Sequence, residues 1–429
     1  MDHEEEFLNT FFTQITQLYF DKAKESVEKE RELWRTTQMG PWGMLLMHLP
    51  QIAVTERSYV DLGFLHTKNK GFLRKDNSLK TMYESLKSDL KRVEEMTRGT
   101  NTIGATVAEI SNQLCQFITA RIQLIEFYEK MYNMSINNKV MRHQDLLMSI
   151  EGIIDCHSLS CSHFSLNTIK ASLTLECEIL LQLIKSYIEI QNWKFLPSLM
   201  ALYGAQARML AWERILQNRE TWKLGFGATF LKANQQPALY QWLLKLRSAI
   251  LAKFSFYFHT TLSQQTSSSE MRNIMSKQTI DYYYKLQIFQ RKYDIVAVCI
   301  VFDLRGMQDS GPGYQHPKRE IENVENFTMV ISIPQLFCQK PFIHWSNIKM
   351  FIKERYADLK LMDKVIFNRD QNDVWIYAMC NVDPHMTFMV VYEKGSKQSD
   401  KDVHIMTFIT DICMQMRCNK VFESLKLAK

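Results

Sequence analysis

The sequence has no continuous apolar run of the roughly eighteen residues that a membrane-spanning helix needs. Its opening stretch, MDHEEEFLNTFF, is acidic where a secretory signal peptide would be basic, and no small-residue cleavage pattern follows it. The nine cysteines are an odd number and fit buried reduced thiols better than a disulfide framework. These features together predict a protein of the cytosol.

Long blocks of a single charge sign are also missing. The chain has 52 Lys and Arg residues against 46 Asp and Glu residues, and the two signs are interleaved to give a net charge of +6. Nucleic-acid binding usually requires a denser basic stripe, so we predict no nucleic-acid partner. The mild positive charge allows a weak attraction to anionic membrane surfaces or acidic partners.

The catalytic motifs HExxH and GxSxG do not occur, and the histidines are scattered along the chain. Cys156, His157, Cys161 and His163 are residue types that bind zinc, but all four fall within eight residues. Structural zinc sites usually pair two close ligands with two more that are a dozen or so residues away. We therefore predict ordinary loop side chains here and no metal site, with a Cys161→Ser metal assay as the test.

Two further patterns resemble parts of enzymes. Gly306 and Gly311 have the spacing of a phosphate-binding loop, but Pro312-Gly313-Tyr314 follows where Lys and Ser or Thr would be needed. Asp370 and Asp373 fall in a predicted hairpin turn, where such side chains satisfy local backbone groups. The sequence thus predicts no catalytic, cofactor-binding or metal-binding residue, no cofactor and no enzyme activity. Nucleotide or metal binding by the purified chain would restore the enzyme hypothesis.

Apolar residues make up 46% of the 429 residues, which is enough to fill the cores of two domains. The most apolar helical segment is residues 238–262, whose apolar side chains recur at three- and four-residue steps. Lys245, Arg247 and Lys253 would each cost about 2.5–3.5 kcal/mol in a bilayer centre, so this helix is predicted to lie inside a bundle. We expect the charged ends of these three side chains to reach water between helices.

Helical periodicity dominates the first 265 residues and predicts an N-terminal all-α helical bundle over residues 1–265. Residues 21–35, DKAKESVEKERELWR, are predicted to be a solvated extension of the first helix. The other predicted helices cover residues 77–99, 106–134, 146–154 and 168–192, with one from Trp42 that Pro50 interrupts and one that begins near Pro197.

The pattern changes after SQQTSSSE at residues 263–270, which marks the start of a second domain over residues 266–429. Short β-branched runs predict five antiparallel strands, and Tyr282, Tyr283 and Tyr284 are expected to pack between the domains. The predicted strands are 295–302, 327–333, 365–368, 374–380 and 386–393, and the helices are 271–292, 345–359 and 401–427. This order resembles the roadblock and longin folds, so the predicted class is α+β multidomain with a C-terminal roadblock/longin-like domain.

Several local words carry a closer resemblance: KFLPSL at 194–199, LAKFSFYFH at 251–259, RKYD at 291–294 and FDLRG at 302–306. With the length and the helix-then-sheet order, they resemble the KICSTOR subunit 2 family. The resemblance implies a non-catalytic adaptor, with a very large scaffold subunit and β-propeller-type subunits as partners. It also implies recruitment of the GATOR complex to lysosomes, and negative regulation of TOR complex 1 when amino acids or glucose are scarce.

The same resemblance implies a cytoplasmic protein that is peripheral at the lysosomal membrane, and it allows both contact with anionic lipid and homo-oligomer formation. The alternative hypothesis, which uses the roadblock-like sheet alone, is a platform for small GTPases in membrane trafficking. An adaptor would be recovered with the large KICSTOR subunit, whereas a platform would be recovered with Rag or Rab proteins and without that subunit.

Overall fold

A computed structural model describes residues 2–33, 40–65, 78–100, 102–136, 142–217, 236–305, 326–334, 343–362, 364–395 and 398–426. In these ranges, the chain is helical up to residue 292. The helices are α1 Asp2–Thr16, α2 Phe20–Leu33, α3 Pro41–Leu46, α4 Leu49–Val60, α5 Leu79–Thr97, α6 Thr102–Ile136, α7 His143–His157, α8 Asn167–Gln191, α9 Phe195–Gln217, α10 Ala238–Tyr257, α11 His259–Gln265, α12 Ser268–Ser276 and α13 Tyr282–Lys292.

A five-stranded antiparallel sheet follows, in the order β2-β1-β5-β4-β3. The five-stranded antiparallel prediction is therefore confirmed, and β2 has the predicted bounds. The remaining elements are β1 Ala297–Asp303, β2 Phe327–Ile333, α14 Trp345–Glu354, α15 Tyr356–Lys360, β3 Ile366–Arg369, β4 Trp375–Asp383, β5 Met386–Glu393, α16 Gln398–Met416 and α17 Asn419–Glu423.

Several predicted helices are interrupted in the structure, including 401–427, which is divided at Arg417 and Cys418 into α16 and α17. The segment 238–262 is divided because Phe258 leaves the helical conformation between α10 and α11. The segment 271–292 is divided into α12 and α13, and each part has its own N-cap. Ser267 and Glu270 form a capping box at α12, and the Asp281 carboxylate accepts a hydrogen bond from the Tyr284 amide at 2.9 Å. The segment 345–359 is divided at Arg355 into α14 and α15.

The prediction that residues 21–35 form a solvated extension is wrong for the described part. Helix α2 buries Phe20, Ala23, Val27 and Glu30 against its neighbours, including α1 and α4. Their three- and four-residue spacing makes a narrow apolar stripe that the many charges around it conceal. A stripe of this width is sufficient to dock the helix.

Helix α10 lies at the centre of the fold, as its sequence predicts. It packs against α4, α8, α9, α13, α16 and α17, and the Trp242 indole donates a hydrogen bond to the Val421 carbonyl at 2.9 Å. One large hydrophobic core includes side chains of the helices and one face of the sheet, for example Leu180, Ile250 and Phe388. A smaller core lies between the other face of the sheet and helix α14. The sheet is therefore covered by helices on both faces.

Candidate protein-interaction surface

Helix α9 has apolar side chains on more than one side, although only one of its sides is buried. The buried side includes Phe195, Leu202, Met209 and Trp212, and the helix packs against α8 and α10. A helix that is hydrophobic all round belongs in an interior, where every side has an apolar neighbour. Here the second side is exposed to solvent, which is the behaviour of a surface that another molecule covers.

The exposed side forms a continuous line that we call the α9 stripe, consisting of Leu196, Leu199, Met200, Tyr203 and Leu210. Their exposed fractions are 54%, 39%, 60%, 70% and 43%, respectively. The steps of three, four and seven residues put them on one helix face, over a length of about 21 Å. Large apolar side chains this exposed are normal when scattered singly, but a contiguous line of them marks an interaction site.

The surrounding contacts hold α9 rigidly beneath this stripe. The Arg208 guanidinium donates to the Glu178 carboxylate of α8 at 2.6 Å. Gly204 lets the two helices approach closely, because a Cβ atom there would lie 3.1 Å from the Gln182 side-chain oxygen of α8. At the C-terminal half, the Tyr240 hydroxyl of α10 donates to the Met209 carbonyl at 3.0 Å. The stripe is thus presented on a fixed backbone, which lowers the entropy that a partner must overcome.

The sequence predicts a helix that begins near Pro197, and the segment KFLPSL resembles the family, but the exposed side of α9 was not predicted. A usable signal was present, because the segment 195–217 has apolar residues at nearly every helical angle. Periodicity indicates that such a helix has apolar neighbours on several sides. It does not show which side the chain itself covers.

Two buried ionic clusters hold the helices in place, and neither was predicted. In the first, the Arg121 guanidinium of α6 binds Glu56 of α4 through two hydrogen bonds, at 2.9 and 3.1 Å, and Glu176 of α8 at 2.6 Å. The hydroxyls of Tyr59 and Tyr128 both donate to Glu176, at 2.6 and 2.8 Å. Five residues from the three helices α4, α6 and α8 thus meet in one buried cluster.

The same cluster is sealed from solvent. Arg121, Glu56 and Glu176 are 3%, 4% and 0% exposed, and a third hydroxyl, that of Tyr83, donates to Glu56 at 2.6 Å. Burial alone would lower the pKa of Arg121, but the two carboxyl groups raise it well above its ordinary value. The adjacent cavity has a volume of about 20 Å³, which is room for a single water molecule and not for a metabolite.

The second cluster joins the helices to the sheet. The Lys253 ammonium of α10 lies 2.7 and 2.8 Å from the two carboxylate oxygens of Asp383, the last residue of β4, and both residues are fully buried. Tyr257 and Gln191 donate to the same carboxylate at 2.6 and 2.8 Å, and Lys253 donates to the Tyr187 hydroxyl at 3.0 Å. Burial alone would raise the pKa of Asp383, but these donors lower it below its ordinary value.

The expectation that all three α10 cations reach water is therefore wrong for Lys253. Lys245 is exposed, as expected, and Arg247 is half-buried, but Lys253 has a buried partner 130 residues further along the chain. Burial lowers the pKa of Lys253, and Asp383 opposes this effect. A buried cation becomes tolerable when a carboxylate and hydroxyl groups replace the water that it loses.

The four candidate zinc ligands do not form a common site in the structure, and each has its own local surroundings. Cys156 is exposed on α7, and the His157 ring is 2.8 Å from the Gln123 side-chain oxygen. The buried Cys161 thiol donates weakly to the Gln113 carbonyl at 3.7 Å, and burial raises its pKa to about 11, which disfavours a thiolate ligand. The His163 ring is 3.8 Å from Glu5. Across the described ranges, no three potential metal ligands come together.

The residues that resemble a phosphate-binding loop and a carboxylate pair come next along the chain. Gly306 and Gly311 lie outside the described residues. The Asp370 carboxylate accepts from the Val374 and Trp375 amides, both at 2.8 Å, as predicted for a turn residue. Asp373 is 3.1 Å from the Arg369 guanidinium and also contacts Lys394.

The three consecutive tyrosines point in different directions. Tyr282 is fully buried and contacts Phe256 of α10, and the Tyr283 ring stacks on His259 at 4.0 Å. Tyr284 is 60% exposed. Two of the three tyrosines thus face the preceding helices, as expected of packing residues.

Within the described part of the chain, no helix has the length and apolar content to cross a bilayer.

The family model described as "KICSTOR complex C12orf66 like" matches residues 1–429. The chain is 36% identical over 436 aligned residues to the Danio rerio protein named KICSTOR subunit 2, with 99% of this chain and 96% of that protein covered. It is 35% identical over 438 aligned residues to the Xenopus laevis protein of the same name, with the same coverage. A full-length match to the family model, with relatives named for a subunit of a complex, agrees with an uncovered apolar helix face, and the chain belongs to the KICSTOR subunit 2 family.

Proposed function

We propose that this chain is a non-catalytic adaptor subunit of a KICSTOR complex. In this role it binds the large scaffold subunit and the β-propeller-type subunits. Through them it recruits the GATOR complex to lysosomes and restrains TOR complex 1 when amino acids or glucose are scarce. The full-length relatives named KICSTOR subunit 2 support membership of the complex. An adaptor acts by raising the local concentration of its partners and needs no chemistry of its own.

The α9 stripe is the observation that carries this proposal. It offers a line of apolar and aromatic side chains on a rigid helix, and aromatic residues such as Tyr203 are enriched at the centres of interfaces. At its C-terminal end the stripe continues into Arg214, which is exposed. We therefore assign the contact with another KICSTOR subunit to this side of α9.

Affinity purification of the tagged chain from cells, followed by mass spectrometry, tests the assignment. The variant Met200→Glu/Tyr203→Glu places two charges in the middle of the stripe, where covering them would leave them desolvated without partners. The matched control is Met148→Glu/Tyr284→Glu, which changes the same residue types at 59% and 60% exposure on α7 and α13.

The wild-type chain and the control should both recover the large KICSTOR subunit, and the α9 variant should recover at least tenfold less. Because all four side chains are exposed, neither variant should change the free energy of unfolding by more than about 0.5 kcal/mol. A wild-type chain that does not recover the large subunit would overturn the adaptor role. An α9 variant that recovers it normally would overturn only the surface assignment.

We also propose that residues 1–265 form a helical bundle domain and residues 266–429 a roadblock/longin-like domain. The sheet order and the helices on both of its faces support the second part. The polar stretch 263–270, which spans the junction of α11 and α12, supports a boundary there. Limited proteolysis that cuts within residues 263–270 and leaves two stable fragments would favour this division. Degradation of the chain without any stable fragment would favour one cooperative unit.

The alternative function, a platform for small GTPases in membrane trafficking, has the helix-covered sheet in its favour. It predicts that Rag or Rab proteins bind the purified chain in the absence of other KICSTOR subunits. Recovery of a GTPase in such a pull-down, with no KICSTOR subunit found in cells, would replace the adaptor proposal with this one.

A further inference from the structure

Helices α14 and α15 form the outer layer of the sheet and carry lysines together with exposed apolar side chains. Lys349, Lys353 and Lys360 lie on these helices. The exposed fractions of Ile343 and Leu361, which flank the two helices, are 85% and 57%. We call these five residues the lysine face.

Shared aromatic rings show that the cations lie close together. The Lys353 ammonium is 5.7 Å from the centre of the Phe327 ring, and the Arg305 guanidinium is 4.8 Å from the same ring. Arg305 is also 5.2 Å from the Tyr356 ring, and the Lys360 ammonium is 4.9 Å from that ring. Lys353, Lys360 and Arg305 therefore lie close together on one side of the sheet layer, and Lys349, four residues before Lys353, lies on the same face of α14.

The carboxylates of this region are mostly engaged by arginines. Asp303 is paired with Arg305 at 2.7 Å, and Asp358 is 3.6 Å from Arg355. Glu354, which is exposed, is the one other carboxylate on α14 and α15. The lysine face is thus positive within the described residues.

We propose that the lysine face binds the surface of an anionic membrane. Lysine ammonium groups are compact charges on flexible stems, which suit a diffuse layer of lipid phosphates better than one fixed partner. The exposed Ile343 and Leu361, just outside the two ends of α14 and α15, supply the kind of aliphatic side chain that enters the boundary between headgroups and acyl chains. An acidic protein would attract the lysines equally well, but it would not explain two protruding aliphatic side chains at the ends of the face.

This inference rests on the proposed function, which places the chain at lysosomes, and adds a surface for direct contact with their membrane. The membrane proposal is tested with purified chain and synthetic vesicles, whereas the adaptor proposal is tested by recovery of KICSTOR subunits from cells. Either proposal can therefore fail while the other succeeds. The probe is co-sedimentation with vesicles of phosphatidylcholine mixed with phosphatidylserine, compared with vesicles of phosphatidylcholine alone, at about 0.1 M salt, where the screening length is about 10 Å.

The test variant is Lys349→Gln/Lys353→Gln/Lys360→Gln. Each lysine near an anionic surface contributes about fivefold to the partition coefficient, so this variant should bind the mixed vesicles about a hundredfold more weakly than the wild type.

The matched control, Lys29→Gln/Lys91→Gln/Lys277→Gln, changes the net charge by the same amount at exposed lysines of α2, α5 and the end of α12. It should bind as the wild type does. A second test variant, Ile343→Ser/Leu361→Ser, should bind more weakly at high salt, where the charge contribution is screened.

Wild-type binding that is absent, or equal on the two kinds of vesicle, would overturn the proposal. Equal weakening by the test and control lysine variants would also overturn it, because net charge and not this face would then be responsible. Binding to polyglutamate with no binding to mixed vesicles would assign the face to an acidic protein instead. Circular dichroism of each variant ensures that weak binding does not come from unfolding.

Discussion

Replacing Lys253 with Met is the most direct test of how the helices and the sheet are joined. Met keeps most of the apolar stem and removes only the charge and its hydrogen bonds. Asp383 would then be a fully buried carboxylate whose remaining donors are the neutral groups of Tyr257 and Gln191. Removing one partner of such a pair typically costs about 3–5 kcal/mol, because an uncompensated charge stays buried. That loss changes the folding equilibrium between about a hundredfold and several thousandfold.

The assay is urea unfolding followed by circular dichroism, with the midpoint and the slope compared between variants. Lys245→Met on the same helix is the matched control, and since Lys245 is exposed its change should stay within about 0.5 kcal/mol. In a double-mutant cycle, Lys253→Met with Asp383→Asn should cost about 2–3 kcal/mol less than the sum of the single changes. A loss below about 1 kcal/mol for Lys253→Met, or an additive cycle, would show that the pair is not buried together and would refute the reasoning.

Arg121→Met should destabilise the chain by about 3–5 kcal/mol in the same urea assay, because it leaves Glu56 and Glu176 buried without their cation; a neutral result would place this cluster in contact with solvent. Leu180→Ala should cost about 2–5 kcal/mol by opening a cavity at a fully buried position, and an unchanged unfolding curve would show that the α8 register is wrong. The pKa of Asp383 is lowered in the folded chain from an unfolded value of about 3.9, so its stabilising contribution is complete above about pH 5 and is lost as pH falls. The difference in unfolding free energy between the wild type and Asp383→Asn should therefore narrow from pH 7 to pH 3, and a constant gap would contradict the ionic interpretation.

The sequence predicted most of the secondary structure because the signals involved are local. Apolar spacing located α6 and α8, and β-branched runs located all five strands, with the bounds of β2 as predicted. The predicted helix bounds were least accurate where a single residue interrupts a helix, as Phe258 does between α10 and α11. Breaks of this kind depend on how the next element packs, and a periodic pattern does not contain that information.

Local patterns in the sequence were thus sufficient to predict most helical and strand segments, the antiparallel sheet, and the family that the full-length comparisons confirm. Which charged residues are buried and which apolar residues are exposed became known from the packing of the folded chain. Lys253 resembles Lys245 in sequence, but only Lys253 meets a carboxylate that the sheet brings back from 130 residues away. Tyr203 resembles any apolar helix residue until the packing of α9 leaves it 70% exposed. Burial depends on which surfaces of a folded chain meet, and periodicity along one segment cannot specify its neighbours.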